Sequence, residues 1–394
     1  MSLIRFGLIG CGLMAKAMVD AINRWPHLKL DQEAPRPVLT AVACPHAESR
    51  AWFEQNFPSL ILSTSDYRDM LAGDTVDAVY CAVPHHLHET IYSDVIQSGK
   101  ALLGEKPFGL DLEQNRHLMA EIEKHPDVFV RCSSEFPFYP AAQALYRWVQ
   151  DGRCGVLIDV RAAFRHSSDL DLKKPINWKR KVETNGAYGC LGDLGLHTEH
   201  LLFRLGIQID AVQALLSRFI DHRPDGLGKI AACETWDNAI LLGSAHHSNQ
   251  DKPFPVLLDT KRLAPGSTND WSVEVHGLDS AVRFSTEDPN ALYYTTSVDR
   301  EQAWTRLNIG SKPQFATHTG TIFEFGFADA MLQMLAAFVL EWAGHPVDFG
   351  CATPEETYQS HVLHTAALLA HDQKRQFNIH ELIQAQERGA GGTR

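Results

Sequence analysis

The chain reads as an α/β protein, with an N-terminal doubly wound parallel sheet followed by a region built on one mostly antiparallel sheet. Three observations predict this. Short apolar runs alternate with helical patterns from Leu3 to Cys132, the order that yields parallel strands with helical crossovers. A Gly-x-Gly-x-x-Ala turn joins the first of those runs to the first helical pattern. From Ile207 to Leu307 strand patterns follow one another, which reads as antiparallel pairing with one apolar and one polar face.

Composition narrows the function classes. A chain of 394 residues can bury substantial cores and expects about two or three domains. The net charge of −12 argues against nucleic acid as a partner, because phosphate binding needs concentrated Lys and Arg. No apolar run approaches the ~20 residues of a membrane span, and Met1–Arg5 leads into a strand with no signal-peptide core. Neither a membrane nor an export route is expected. The eight cysteines are dispersed, with no C-x-x-C, as reduced thiols of a cytoplasmic protein would be. The 20 histidines contain no H-E-x-x-H or similar grouping, so no metal is expected.

Leu3–Ile9 is the first strand. Gly10, Gly12 and Ala15 then stand at the spacing of a dinucleotide fingerprint, with Leu13 and Met14 opening a helix that runs to about Asn23. Gly10 permits the tight turn, Gly12 admits a pyrophosphate to the backbone, and Ala15 lets helix and strand close together. After an irregular stretch from Trp25 to Pro37, the second strand is Val38–Ala43. There an NAD-binding unit offers an acid to the ribose hydroxyls, but this chain has Cys44-Pro45-His46 and no acid before Glu48. His46 and Arg50 can instead approach a 2′-phosphate, so NAD and NADP both stay open as cofactor.

The alternation continues through a strand at Leu60–Leu62, a helical turn at Tyr67–Leu71 and a buried strand at Val76–Val83. Pro84-His85-His86-Leu87-His88 then opens a helix reaching about Gly99. Ala101–Gly104 leads into Glu105-Lys106-Pro107, where a proline after a lysine restricts the backbone and aims the side chain at the carboxyl edge of the sheet. An isolated turn lysine is ordinarily just solvated; its neighbours change that reading. A helix at Leu112–Glu123 and a strand at Val128–Cys132 complete a first domain, 1–133.

The second domain, 134–394, begins with a helix at Pro140–Val149 and a strand at Val156–Phe164. The polar loop 167–183 carries Trp178 among Lys173, Lys174, Lys179, Arg180 and Lys181; an aromatic face there can stack on a sugar ring, and the basic residues can favour an anion. Trp178 and Arg180 are the candidate substrate residues. Glycines at 186, 189, 192 and 195 precede a helix on which Asp193 and His197 stand four apart and share a face. Trp271–His276 alternates cleanly before a turn at Gly277–Asp279 and a strand at Ala281–Phe284. Phe327–Trp342 is an apolar helix packed on most sides, Glu355–His371 a last helix, and Gly389–Arg394 a disordered tail. The C-terminal helices are expected to pack back on the first domain.

Taken together and in order, the fingerprint, Pro84–His88, Glu105-Lys106-Pro107 and Gly192-Asp193-Leu194-Gly195-Leu196-His197 resemble the Gfo/Idh/MocA family of NAD(P)-dependent sugar and polyol oxidoreductases. The resemblance spans essentially the whole chain. It implies a Rossmann domain plus an α/β domain with a large, mostly antiparallel open sheet, through which a homodimer or homotetramer assembles. It makes Lys106, Asp193 and His197 the catalytic set. It makes Gly10, Gly12, Leu13, Met14, Cys44, Pro45, His46, Pro84, His85, His88, Glu105 and Lys106 the cofactor-binding set. The chain departs from the family where Thr-Pro-Asn often stands, having Val83-Pro84-His85, and in the missing acid after the second strand.

The groups suit hydride transfer. An imidazole titrating near neutrality makes His197 a general base for a carbinol proton. Lys106 would steady the developing alkoxide and keep a neighbouring imidazole neutral. Asp193 would orient the imidazole or hold a neighbouring hydroxyl. Two other readings use the same fold: a dinucleotide-binding sensor without turnover, and an enzyme that keeps its nucleotide for redox-assisted glycoside cleavage. An intact lysine, aspartate and histidine favour the dehydrogenase.

Overall fold

Strands too short to stand alone form the first sheet because its central strands are apolar on both faces and are covered by helices. A computed structural model describes residues 3–30, 34–296, 302–310 and 312–383; the tail from Gly389 lies outside them. The chain divides into two compact units, one of Met1–Gln143 with Gly310–Thr357, the other of Ala144–Ile309 with Tyr358–Arg394.

In chain order the first unit begins with β1 (Leu3–Ile9), α1 (Leu13–Arg24), β2 (Arg36–Ala43), α2 (Ala47–Asn56), β3 (Leu62–Thr64) and α3 (Tyr67–Leu71). It continues with β4 (Ala78–Cys81), α4 (His88–Gln97), β5 (Ala101–Gly104), α5 (Leu112–Lys124) and β6 (Val130–Cys132). These six strands are parallel in the order β3-β2-β1-β4-β5-β6. The order reverses between β1 and β4, and the carboxyl ends there form the crevice in which such sheets bind ligands. All residues of β4 and β5 are buried.

Three strands start later than their apolar runs suggest. The Phe57 carbonyl accepts from Leu60 N at 3.1 Å, closing a turn that delays β3 to Leu62. The His125 carbonyl accepts from Val128 N at 3.0 Å, which delays β6 in the same way. β4 is the short centre of an apolar run that starts at the buried Val76 and ends at the half-buried Val83. Helix α2 is the element with the weakest sequence signal, since Phe53 is its one buried residue.

The chain then forms α6 (Pro140–Gln150), β7 (Leu157–His166), α7 (Val182–Asn185), α8 (Cys190–Arg204), β8 (Ile207–Ser217), β9 (His222–Pro224) and β10 (Ile230–Ala232). After these come β11 (Asn238–His247), β12 (Gln250–Lys261), β13 (Asn269–Gly277), β14 (Ser280–Ser285), β15 (Ala291–Thr296) and β16 (Thr305–Asn308). The last elements are α9 (Phe327–Trp342), α10 (Pro354–Gln373) and β17 (Phe377–Asn378). The second sheet has nine strands in the order β16-β15-β14-β13-β7-β12-β11-β8-β17. Among its described pairings only β7 with β12 is parallel. The alternation expected near Trp271 is real: Trp271, Val273 and Val275 point into the core of the second unit.

Two helices define what each unit can present. α9 belongs to the first unit, where it packs on α1 and pairs Asp329 with Arg24. α8 packs across β7, β12 and β8 of the second unit, with Cys190 through Leu202 all buried. The close packing of α8 depends on Gly195, where a Cβ would stand 2.3 Å from Nε2 of His364 on α10.

Candidate active site

In the first unit the candidate cofactor residues lie at the carboxyl edge of the sheet. Gly10 has φ +91°, and a Cβ there would stand 2.2 Å from the Ala82 carbonyl oxygen, so the β1–α1 turn admits no side chain. Gly12 is the opposite case: nothing lies within 4 Å of its Cβ position. It caps α1 with no side-chain hydrogen bond and no acid in the first turn. The backbone N–H groups around Leu13 and Met14 therefore meet open space, which fits a pyrophosphate.

At the end of β2, Cys44 is buried and its N–H donates to the Thr64 carbonyl at 3.1 Å. Pro45 and His46 are exposed. Arg50 of α2 donates from Nη1 to the Cys44 carbonyl, while its buried Nε has no hydrogen-bond partner among the described residues. The Cys11 thiol is pushed up to about 12 by burial and by the adjacent Cys44. A cation with an unmet donor therefore lies beside the end of β2, and the first acid after that strand is Glu48, in the first turn of α2.

Pro84 precedes a 3₁₀ turn over His85–Leu87. His85 is buried, and His88 is fully so. His88 Nε2–H donates to the Val83 carbonyl at 3.1 Å, and its ring stacks on Tyr92 with centroids 4.6 Å apart. Burial lowers the His88 pKa to about 3, with the Lys106 charge acting in the same direction, so this imidazole is neutral at pH 7.

Glu105 is a strut. Its carboxylate accepts the Tyr80 hydroxyl at 2.6 Å, its carbonyl accepts the Tyr92 hydroxyl at 2.7 Å, and its N–H donates to the Cys81 carbonyl at 3.0 Å. Three anchors hold the residue immediately before Lys106. The Lys106–Pro107 bond is cis. Sequence reading missed Glu135, buried just beyond β6. Burial, and then the nearby Glu105 charge, raise its carboxyl well above the usual carboxylate range. The polar run Ser133-Ser134-Glu135 at a strand end was the available signal.

In the second unit Asp193 is 1% exposed. Lys179 Nζ donates to both its oxygens, at 3.1 and 2.9 Å, and Arg262 Nη2 donates to Oδ2 at 3.2 Å. His197, one turn on along α8, sets its ring edge-on to Phe164 with centroids 5.3 Å apart. Its carbonyl accepts from Trp271 Nε1 at 2.6 Å. His166, at the end of β7, has its pKa lowered to about 4 by burial; the Asp193 charge opposes that shift, and those of Lys179 and Arg262 add to it.

The loop residues separate into two environments. Arg180 is 1% exposed and pairs with Asp169 at 2.6 Å and with Asp237. Trp178 carries Lys179 over its ring, 5.5 Å from the centroid. The sequence names Lys179 only as one of the loop's basic residues and does not single out Arg262, because their partner Asp193 lies 14 and 69 residues away. The acid after His197, Glu199, bonds His364 Nε2 at 2.9 Å and Ser360 at 2.5 Å, tying α8 to α10. Among the described residues no three His, Cys, Asp or Glu side chains could hold a metal ion, and no helix is long and apolar enough to cross a membrane.

Comparison with known proteins gives this geometry a context. Residues 4–132 match the model of an oxidoreductase family with an NAD-binding Rossmann fold, and residues 142–283 match the GFO/IDH/MocA C-terminal domain. Levoglucosan dehydrogenase of Pseudarthrobacter phenanthrenivorans is 25% identical over 312 residues, spanning 75% of this chain and 77% of that protein. An inositol 2-dehydrogenase of Corynebacterium glutamicum is 27% identical over 165 residues, 42% of this chain and 46% of that protein. A solved levoglucosan dehydrogenase in complex with NADH and L-sorbose superposes with a TM-score of 0.84 at 22% identity, covering 96% of this chain and 99% of that one. At that identity the likeness speaks for the fold.

Proposed function

Because this chain belongs to the Gfo/Idh/MocA oxidoreductase family, we propose that it transfers hydride between a nicotinamide cofactor and a secondary alcohol or ketone of a sugar, polyol or related cyclic alcohol. The observation that carries the reading is the anchoring of Glu105 by Tyr80 and Tyr92, which sets Lys106 just past the end of β5 with little backbone freedom. The relatives named for levoglucosan and inositol support the substrate class.

Gly10, Gly12 and the first turn of α1 would hold the pyrophosphate, and the Pro84–His85 turn would flank the cofactor further along the sheet edge, with His88 buried behind it as a support on Tyr92 and the Val83 carbonyl. A bound nicotinamide supplies the hydride acceptor or donor. His197 takes the carbinol proton as the C–H bond breaks, and returns it to the ketone oxygen in reverse. Lys106 steadies that oxygen as negative charge develops. Asp193, bound by Lys179 and Arg262, holds the cationic side of the site in place.

The cofactor reading is that NADP is accepted alongside NAD. No carboxylate stands at the end of β2 itself, the first acid being Glu48 in α2, and Arg50 has an unmet donor beside Cys44. The oligomer implied by the resemblance would use the open face of the nine-stranded sheet, where Leu215, paired with Ile240, and Leu242 are exposed. Sedimentation of the chain reads that state.

The reaction is tested by a panel of levoglucosan, inositols, aldoses and alditols with NAD and with NADP, followed by absorbance of the reduced nicotinamide. Turnover of at least one member with release of reduced cofactor is expected. Reduced cofactor that forms but is never released would instead favour redox-assisted cleavage.

A further inference from the structure

The second unit contains a half-exposed cation built onto a buried carboxylate. Lys179 is 37% exposed while Asp193 is 1% exposed, so a side chain that reaches the surface is anchored on a carboxylate buried beneath it. Its anchor is strong, since charge-assisted hydrogen bonds to a carboxylate are about twice as strong as neutral ones. The anchor is also independently stabilised, because Arg262, 1% exposed, pairs with the same carboxylate. A neutral His166 lies in the same cluster, and Trp178 places an aromatic face beside Lys179.

Among the described residues, Lys174 and Arg180 pair with Asp169, Arg180 also with Asp237, and Lys179 and Arg262 with Asp193. Arg180 and Arg262 are buried within their pairs, while Lys174 and Lys179 are the half-exposed members. Lys174 is bound to the Asp169 carboxylate and the Ser168 carbonyl in the polar loop. Lys179 is the one held on the helix that carries His197.

We propose that Lys179 is a substrate-contacting residue of this enzyme, its ammonium donating to a hydroxyl or carbonyl oxygen next to the carbon that exchanges hydride. The inference rests on the hydride-transfer reading above. Asp193 is then a positioning residue, acting on the substrate through Lys179. Lys174 over Asp169 shows the same half-exposed pattern; what distinguishes Lys179 is that its carboxylate, Asp193, stands on α8 one turn before His197. The adjacent Trp178 face suits the C–H side of a sugar or polyol ring.

The test uses the full-length protein and whichever panel sugar or polyol the wild type turns over best. Lys179→Met is expected to raise KM about ten- to a hundredfold, the effect of one lost charged hydrogen bond, with kcat falling far less. The affinity for reduced cofactor, read by nicotinamide fluorescence titration, is expected to stay the same. Lys179→Arg is expected to recover part of the KM. Removing Lys179 leaves Asp193 paired with Arg262, so the variant is expected to fold; Lys179→Gln is a second version of the same change. A wild-type KM in Lys179→Met, or loss of folded protein in both Met and Gln variants, overturns this inference and leaves the reaction standing. Near-normal turnover by His197→Ala, or no turnover of any panel member by the wild type, overturns the reaction and this inference with it.

Discussion

The hydroxyl of Tyr80 donates to the carboxylate of Glu105 at 2.6 Å, with both side chains buried. The bond ties the middle of β4 to the residue that follows β5 and so braces the backbone on which Lys106 stands. Tyr80→Phe leaves that carboxylate buried without its donor. The expected cost is about 1–3 kcal/mol of stability, together with a lower kcat as Lys106 loses its support. Thermal melting and steady-state kinetics on one preparation read both.

His197→Ala is expected to lower turnover by about 10²–10⁴, the usual contribution of a positioned general base. Lys106→Ala is expected to lower it by about 10²–10³, as for loss of a donor to a developing oxyanion. Both should bind reduced cofactor as the wild type does. Retained rates in both variants, with an authentic substrate, would show that the catalytic set lies elsewhere.

Arg50→Gln removes the cation beside Cys44. It is expected to weaken NADPH binding about tenfold or more while changing NADH binding little. Fluorescence titration with each nucleotide measures the ratio. An equal loss for both nucleotides would make Arg50 a support for the Cys44 loop instead.

His88 and His166 give the protein an acid-side liability. Their folded pKa values, about 3 and about 4, lie below the roughly 6.5 of an unfolded histidine. Between those values the unfolded chain holds protons that the folded one does not, so stability falls as pH drops from about 6.5 toward 4. Melting temperature is expected to decline over that window, and His88→Gln to flatten part of the slope. Glu135 acts in the opposite sense. Its raised pKa keeps a proton on the folded form, a contribution that is full at low pH and is lost as pH rises through the folded value.

Arg180→Met is expected to act on stability rather than on KM. The guanidinium is buried between Asp169 and Asp237, and removing it leaves Asp237 buried without its cation and Asp169 with Lys174 alone, at a cost of about 3–5 kcal/mol. A variant that melts normally but shows a raised KM would place Arg180 at the substrate after all.

Local order determined much of what was legible. The parallel sheet, the Gly10–Gly12 turn and the positions of Lys106, Asp193 and His197 depend on spacings of a few residues, and a single sequence displays those directly. Helix α2 escaped notice because burying only Phe53 writes almost no period into the sequence. The late start of β3 escaped because the turn at Phe57–Leu60 is itself apolar.

Partnership was decided by the tertiary structure alone. That Glu105 is tied to Tyr80 and Tyr92 is visible only in the fold. Asp193 was given the imidazole or a substrate hydroxyl as its object, and its carboxylate is gripped by Lys179 and Arg262. Arg180 and Lys179 are chain neighbours of like charge, and one is buried in ion pairs while the other meets solvent. A sequence states which groups are available and at what local spacing. Which ones meet depends on strand register and helix packing that bring together residues 14, 25 or 69 positions apart, and burial then sets how strongly each charge must be answered.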